Sequence, residues 1–124
     1  MDTGLRRDRR GGTQVSMRTL TWHLPSVGPG ASQREVYRLD RDYNPVRVWV
    51  HAETAPVVQE LILDINVDGV SILTYQLRMQ DQEDADSVDF ATTQFSKDSL
   101  VSLDIDQAGG NTANVTVGLE LEEE

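Results

Sequence analysis

The 124-residue sequence contains no cysteine. Disulfide bonds and thiolate metal sites are therefore excluded, and the core itself or a partner must stabilise the fold. Long apolar runs are also missing: apolar residues make up 38% of the chain but occur in short alternating runs, which excludes a membrane span and argues against disorder. No apolar stretch with a cleavage site follows the first basic residues, so we expect no secretion and synthesis in a cytoplasm. A chain of this length has room for one domain.

Basic residues are scarce after position 47. Residues 1–47 hold 9 basic and 5 acidic side chains, whereas residues 48–124 hold 2 basic and 16 acidic ones. The net charge of −10 therefore combines a basic segment of +4 with an acidic body of −14. Because an acidic body repels phosphates and anionic lipids, neither nucleic acid nor a membrane is an expected partner.

The first 15 residues show no alternating apolar pattern, and their charge is dominated by four arginines: Arg6, Arg7, Arg9 and Arg10. Such a segment buries too little apolar surface to offset its ordering entropy. We predict a flexible basic arm over residues 1–15 that binds a partner through these arginines. A single domain is predicted over residues 16–124.

From Met17 onward, apolar residues alternate with polar ones, as half-buried strands require. The pattern predicts eight strands, within 17–24, 35–39, 46–52, 60–67, 70–77, 90–95, 101–105 and 115–121. Between two of them, Asp68-Gly69 favours a tight hairpin with positive φ. No segment places apolar residues at helical spacing over three turns.

Short strands separated by turn signals predict an all-β fold, an antiparallel β-sandwich of jelly-roll-like type with an extended N-terminal arm. Loops are predicted at 25–32, which contains two prolines and two glycines, and at 80–89, which is too acidic for a core element. The predicted core consists of Leu61, Leu63, Ile65, Leu103, Ile105, Val115, Val117 and Leu119.

Two acidic segments are candidate cation sites. Asp64, Asn66 and Asp68, with the glycine that follows, match the first half of a calcium loop, but Tyr75 stands where the bidentate glutamate belongs. The same residues suit the outer face of a strand that leads into a hairpin. The acidic residues of 81–89 suit either a hard cation or a solvated loop, and runs of this kind are usually solvated. We therefore predict no metal site.

Catalytic motifs are missing as well. No serine elbow, phosphate-binding glycine loop or nucleophile with an evident base occurs. His23 and His51 each fall on the outer face of a predicted strand, with no second ligand at metal-binding spacing, which indicates surface or interface residues. We predict a non-enzymatic protein with no catalytic residue and no cofactor.

Trp49 lies on the face opposite the valines of its strand, beside Arg47. Two readings are open. Either both faces of the strand are buried between sheets, or Trp49 is an interface anchor, since tryptophan and arginine are enriched where protein surfaces meet. Arg47 and Trp49 therefore join the four arginines of the arm as predicted partner-binding residues.

Several short pieces occur in a fixed order along the chain. They are Ala55-Pro56, Leu63-Asp64-Ile65-Asn66, Asp68-Gly69-Val70-Ser71-Ile72-Leu73, Lys97-Asp98-Ser99-Leu100, Asp104-Ile105 with Gly109, and Asn114-Val115-Thr116-Val117. In this order they resemble the small β-sandwich accessory proteins of tailed bacteriophage particles: head decoration proteins, head fibres, and baseplate or tail-fibre modules. The resemblance covers residues 46–121. It departs at Val57-Val58, where Thr-Gly is usual.

The resemblance implies a structural, oligomeric virion protein, expected as a homotrimer on the particle exterior and made in the host cytoplasm. The basic arm favours a capsid decoration role, because an arginine-rich segment on an acidic sandwich can lie along an acidic neighbouring subunit. The expected partner is the major capsid protein or another virion protein. The alternative is a tail-fibre or baseplate receptor-binding module, or a carbohydrate-binding module in which Trp49, with Tyr43 or Tyr75, stacks on a surface glycan.

Overall fold

The computed structural model describes residues 16–26, 35–110 and 112–124. Within these ranges the chain forms nine strands and no helix, so no helix here could cross a membrane. The strands are β1 (Met17–Ser26), β2 (Tyr37–Arg38), β3 (Tyr43–Thr54), β4 (Leu61–Val67), β5 (Val70–Ser71), β6 (Leu77–Met79), β7 (Asp84–Ser87), β8 (Leu100–Gln107) and β9 (Ala113–Glu123). The predicted arm with Arg6, Arg7, Arg9 and Arg10, and the predicted loop from residue 27 onward, lie outside the described residues.

The strands form two antiparallel sheets. Sheet A has the strand order β1-β9-β3-β7, and sheet B has the order β2-β8-β4-β5, with β6 also paired to β4. Side chains from both sheets form one hydrophobic cluster, so the sheets enclose a common core. This confirms the prediction of an all-β fold with two antiparallel sheets.

The alternation of apolar residues identifies the core-facing side of each long strand. Leu20, Trp22 and Leu24 of β1 are buried, as the pattern predicts. All eight predicted core residues are also buried: Leu61, Leu63, Ile65, Leu103, Ile105, Val115, Val117 and Leu119. Burial of a large aliphatic side chain contributes about 1.5–3 kcal/mol, so these positions carry much of the stability that a chain without disulfides needs.

The turn between β4 and β5 has the predicted geometry. Asp68 and Gly69 have φ angles of 52° and 82°, as a tight hairpin with two left-handed residues requires. The strand that returns from it was predicted as continuous over 70–77, and this is wrong, because pairing with β4 is interrupted after Ser71 and resumes only at Leu77, in β6. The chain then leaves the ladder, and Leu73 forms an isolated bridge with Phe90.

Two other segments differ from the sequence-based expectation. No strand runs from Phe90 to Phe95 in the described residues; instead Phe95 forms an isolated bridge with Tyr43. Pro25 and the serine after it were predicted as loop but belong to β1. A proline is tolerated there because β1 is the last strand of sheet A on that side, and an edge strand has one unpaired backbone row.

The segment 80–89 was predicted as a solvated connection, and it contains strand β7 instead. The acidic side chains of β7 are exposed, as expected, but its backbone pairs with β3 over four residues, from Val48↔Ser87 to His51↔Asp84. Only small residues of β7 face inward, so no apolar alternation marks it. Backbone pairing with an otherwise open edge is what makes this segment a strand.

A strained residue lies in the connection between β3 and β4. Val58 has a φ of 71°, in the left-handed region that branched side chains rarely adopt, and its side chain is 91% exposed. The loop is tied to the β8–β9 connection, because the amide of Val57 donates to the carbonyl of Gly110 at 2.9 Å. Position 58 is the one where the phage accessory proteins that the sequence resembles usually have glycine.

Candidate functional site

The outer face of sheet A carries the predicted partner-binding residues Arg47 and Trp49. Inward side chains of β3 are buried at Val48 and Val50, so Arg47, Trp49 and His51 point away from the core. The register places these three in adjacent rows that run across the sheet. The row of Trp49 contains Thr21, Gly118 and Asp86, the row of His51 contains His23, Thr116 and Asp84, and the row of Arg47 contains Thr19 and Glu120.

Trp49 packs on Gly118, the residue opposite it on β9. A Cβ atom at position 118 would lie only 2.2 Å from Cε2, 2.3 Å from Cζ2 and 2.6 Å from Nε1 of the indole. The ring therefore occupies the space that any side chain at this position would need. Trp49 is half-buried because it packs on its own sheet, and it also presents surface to solvent. The reading in which both faces of β3 are buried between sheets is therefore wrong, and the interface reading stays a prediction.

Because the indole leans toward β9, a shallow hollow remains between it and the edge strand β7. The hollow has a volume of about 330 Å³ and is lined by Arg47, Trp49, Val50, Asp84, Ala85 and Asp86. The side chains of Val50 and Ala85 belong to the inward row, so the floor is mainly backbone. The walls are thus an aromatic ring on one side and two carboxylates on the other.

Two charge pairs frame the hollow. Nε of Arg47 lies 3.5 Å from Oδ2 of Asp86, and Nδ1 of His51 lies 2.7 Å from Oδ1 of Asp84. The hydrogen bond from His51 to Asp84 raises the pKa of the imidazole above its ordinary 6.5, against a smaller opposing effect of desolvation. Asp84 therefore favours the protonated, cationic form of His51.

The histidines show no catalytic arrangement in the described part of the chain. Nδ1 of His23 lies 3.2 Å from Oγ1 of Thr116, and His51 has the carboxylate of Asp84 as its hydrogen-bond partner. A nucleophile needs a base within hydrogen-bond reach that is itself oriented by a third group. The Asp84–His51 pair supplies the orienting contact, but no hydroxyl or thiol among the described hydrogen bonds completes it.

The partial calcium motif lies on the outer face of sheet B, where its side chains contact one another. Oδ1 of Asp64 accepts from Oγ of Ser71 at 2.7 Å, Asn66 donates to Asp104, and Oδ1 of Asp68 accepts from the amide of Leu100 at 2.9 Å. Among the described residues, no group of three or more acidic or histidine side chains is arranged to hold a metal ion. These oxygens serve the hairpin and the β4–β8 pair.

The two tyrosines proposed to accompany Trp49 differ in position. Tyr43 is only 4% exposed, and its hydroxyl donates to Asp40 at 2.8 Å. Burial raises the pKa of this hydroxyl above 10.0. Tyr43 therefore cannot stack on a sugar, and that part of the glycan hypothesis is wrong. Tyr75 is 73% exposed, but it lies between β5 and β6 of sheet B and does not line the hollow beside Trp49.

Sequence reasoning missed three residues of this face: Gly118, Asp84 and Asp86. A signal for Gly118 exists, because a glycine in the middle of an alternating strand, in phase with its outer face, marks a close approach of another group. The two aspartates carry no such signal. Their place beside Trp49 depends on the pairing of β7 with β3, which the acidic sequence of 80–89 conceals.

No protein-family model matches the chain, and no curated protein matches it either. Among solved structures, the fold resembles that of a chain in the capsid of Ralstonia phage GP4, with a TM-score of 0.54 and 11% sequence identity over 98% of this chain and 92% of that chain. A chain of the cyanophage Pam1 capsid asymmetric unit aligns over 100% of this chain and 98% of its own length, with a TM-score of 0.45 and 10% identity. At 11% identity, the first likeness is one of fold.

Proposed function

We propose that this chain is a non-enzymatic structural protein of a tailed-phage particle, because it shares its fold over nearly its whole length with a phage capsid chain. That alignment covers 98% of one chain and 92% of the other, so the likeness extends over nearly the full length of both aligned chains. The ordered pieces over residues 46–121 resemble phage accessory proteins independently of the coordinates. Fold and sequence pattern therefore favour the same class of protein.

Within the particle, the proposed role is decoration of the capsid exterior through protein–protein contacts that stabilise it. An acidic sandwich cannot approach an acidic capsid surface unaided, and the basic arm of residues 1–15 supplies the complementary charge. Arg47 and Trp49 offer a second contact on the outer face of sheet A. The major capsid protein is the proposed partner, and neither nucleic acid nor a membrane is.

Purified particles of the encoding phage test this role. Quantitative mass spectrometry should find the chain in stoichiometric amounts in heads separated from tails. Recombinant protein should bind again to heads from which it has been stripped, and restore their resistance to heat. If the chain fractionates with tails instead, the decoration role is wrong and the tail-fibre or baseplate alternative replaces it.

The proposed oligomeric state is a homotrimer, which rests on the resemblance to phage accessory proteins. Both edges of sheet A need protection in an all-β chain, and exposed apolar side chains such as Met17 and Val88 are available for a subunit contact. Sedimentation velocity should report three times the monomer mass. A monomer at concentrations of tens of micromolar would contradict self-assembly in the absence of the particle.

Glycan binding is a second candidate function, and the hollow beside Trp49 is the observation that favours it. An aromatic wall, an arginine and two carboxylates suit a sugar ring, which needs an apolar face and several hydrogen bonds. A glycan array with the intact protein should show saturable binding that Trp49→Ala abolishes and Tyr75→Ala, at an exposed aromatic elsewhere, preserves. No binding by the wild-type protein would contradict this candidate.

A further inference from the structure

The outer face of sheet A is strongly acidic around the hollow. Of the side chains that the described register places on this face, five are carboxylates and Arg47 is the one permanently charged cation; the carboxylates are Glu53, Asp84, Asp86, Glu120 and Glu122. Arg47 and His51 each face one of the two aspartates of β7, so most of this negative charge has no cation beside it within the described residues.

The hollow has the chemistry that receives a guanidinium group. An arginine over the face of a tryptophan gains a cation–π attraction, and its planar fork of N–H donors suits nearby carboxylates. Trp49 supplies the ring, while Asp84 and Asp86 on the opposite wall each contact one cation through one oxygen and keep further acceptor positions. A lysine would gain the charge attraction but would lose the planar stacking, so arginine is the better match.

The chain itself carries suitable arginines within reach. Strand β1 begins at Met17 on this same sheet, and the register places Met17 four residues and two strand spacings from Trp49, or roughly 17 Å. Arg10 lies seven residues before Met17, and an extended segment of that length spans roughly 23 Å. Arg6, Arg7 and Arg9 are farther along the same segment.

We propose that the arginine segment, residues 6–10, folds back over the outer face of its own sheet A and places an arginine in the hollow between Trp49 and Asp86. In the free protein this contact shields the acidic face and holds the arginines in a fixed place. When the protein binds a partner, the arginine segment leaves the acidic face of sheet A and contacts an acidic surface of the partner instead. The inference concerns the free protein and does not depend on its position in a particle.

Nuclear magnetic resonance of the full-length, ¹⁵N-labelled protein tests the contact through its two indole N–H signals, assigned with Trp49→Phe. Trp22 is buried and donates its indole N–H to the carbonyl of Glu35 at 2.8 Å, so its signal serves as an internal control. The quadruple variant R6S/R7S/R9S/R10S should shift the Trp49 signal and leave that of Trp22 in place. In wild-type protein, high salt should move the Trp49 signal toward its position in the variant.

A charge-matched comparison excludes a general effect of net charge. R9S/R10S and R38S/R78S remove the same charge, but Arg38 and Arg78 lie on sheet B in exposed ion pairs that contribute little to stability. Only the first pair should shift the Trp49 signal. An indole N–H signal of Trp49 that has the same position in the wild-type protein and in the quadruple variant would overturn the proposal.

A spin label separates the chain's own segment from that of a second copy. Because the chain has no cysteine, Asp8→Cys creates a single labelling site. The label should weaken the Trp49 indole and Gly118 amide signals within one labelled molecule, while the amide signal of Gly69 in the hairpin of sheet B keeps its intensity. Equal weakening in a mixture of labelled, unenriched protein with enriched wild-type protein would assign the contact to a second copy and overturn the proposal.

Discussion

A glycine and a valine of this chain stand at positions where the opposite choice is usual: Gly118 in the middle of a strand and Val58 at a positive φ. Gly118 lies inside a long strand, where a residue without a side chain weakens the ladder, and Val58 has a positive φ that favours glycine. At Gly118 the indole of Trp49 fills the space of the missing side chain. At Val58 no packing compensates, because the side chain is exposed. The first glycine therefore has a structural use, whereas the valine carries strain.

Replacement of Gly118 by alanine should displace the indole of Trp49. The new methyl group would collide with ring atoms at 2.2 to 2.6 Å, but these belong to a side chain at the surface, which can swing away. We therefore expect a loss of about 1 kcal/mol, the lower end of the cost of overpacking, together with stronger acrylamide quenching of tryptophan emission. Urea denaturation gives the stability. In the Trp49→Ala background the same substitution should have almost no effect, and an equal loss in both backgrounds would contradict the contact.

Substitution of Val58 by glycine should stabilise the protein. The left-handed conformation costs a residue with a side chain about 1–2 kcal/mol, while glycine loses about 0.5–1 kcal/mol more backbone entropy on folding. The expected gain in the free energy of unfolding is thus up to about 1.5 kcal/mol, measured by urea denaturation. Val57→Gly is the matched control and should destabilise, because Val57 does not have a positive φ. A Val58→Gly protein that is less stable than the wild type would show that the loop needs the valine.

At the scale of the strands, apolar alternation was sufficient for the five strands of seven or more residues, but not for β6, which also buries Leu77 and Met79. It identified β1, β3, β4, β8 and β9, and the core residues on the last three are all buried. It could not identify β7, whose stability comes from backbone pairing and from cross-strand contacts with β3. It also could not show that pairing with β4 is interrupted between Ser71 and Leu77, because an exit from a sheet depends on long-range contacts such as Leu73 with Phe90.

Of the candidate site, the sequence predicted the residues on β3 but not those on β7. Trp49 and Arg47 were identified because their position in the strand points them outward, and both line the hollow. The opposite wall was not predictable, since it belongs to the strand that the sequence conceals. The chemistry of the hollow therefore became visible only once β3 and β7 were placed side by side.

The pair of His51 and Asp84 joins β3 to β7, and its charge should depend on pH. Because Asp84 raises the pKa of His51 above 6.5, the pair stabilises the fold below the pKa of the unfolded histidine, and this contribution is lost as the pH rises through the folded pKa. A titration of the His51 imidazole signal should give a midpoint above 6.5 in the wild type. Asp84→Asn should lower that midpoint more than Asp86→Asn does. Equal midpoints in both variants would contradict the assignment.

Like charges face each other across β4 and β8 in sheet B. Asp64 lies directly opposite Asp104, and burial raises the pKa of its carboxyl above the ordinary 3.8, against hydrogen bonds from Ser71 and the amide of Ile65 that lower it. Ionisation of Asp64 therefore opposes folding as the pH rises above 3.8. Asp64→Asn should raise the melting temperature at pH 7 and lose that advantage at a pH below 3.8. A variant that melts below the wild type at pH 7 would contradict this reading.

For the whole molecule, the separation of charge between the arm and the body predicts the effect of truncation. Residues 1–15 lie before the first strand, so their deletion should remove only the proposed surface contact with sheet A and lower the melting temperature by little. The same deletion should weaken attachment to stripped phage heads, because the acidic body then lacks its arginines. Calorimetry and a co-sedimentation assay with heads measure the two effects.

The salt dependence of attachment supplies the control for this experiment. Full-length protein should detach more readily as salt screens the arginines, whereas the truncated protein should show a weaker dependence. If the truncated protein binds with the same affinity and the same salt dependence as the full chain, attachment lies on the sandwich itself. The face around Trp49 is then the next surface to examine.

The position of β9 in the centre of sheet A has a consequence for the order of events during synthesis. Residues 113–123 are translated long after β1 and β3, yet they pair with both of these strands and separate them. A ribosome-bound chain that has not reached β9 therefore holds two apolar strands without their common neighbour, and it cannot close the sheet by local contacts alone. A product interrupted before residue 113 keeps those edges open and is prone to aggregate or be degraded, so only chains that include β9 are available for assembly.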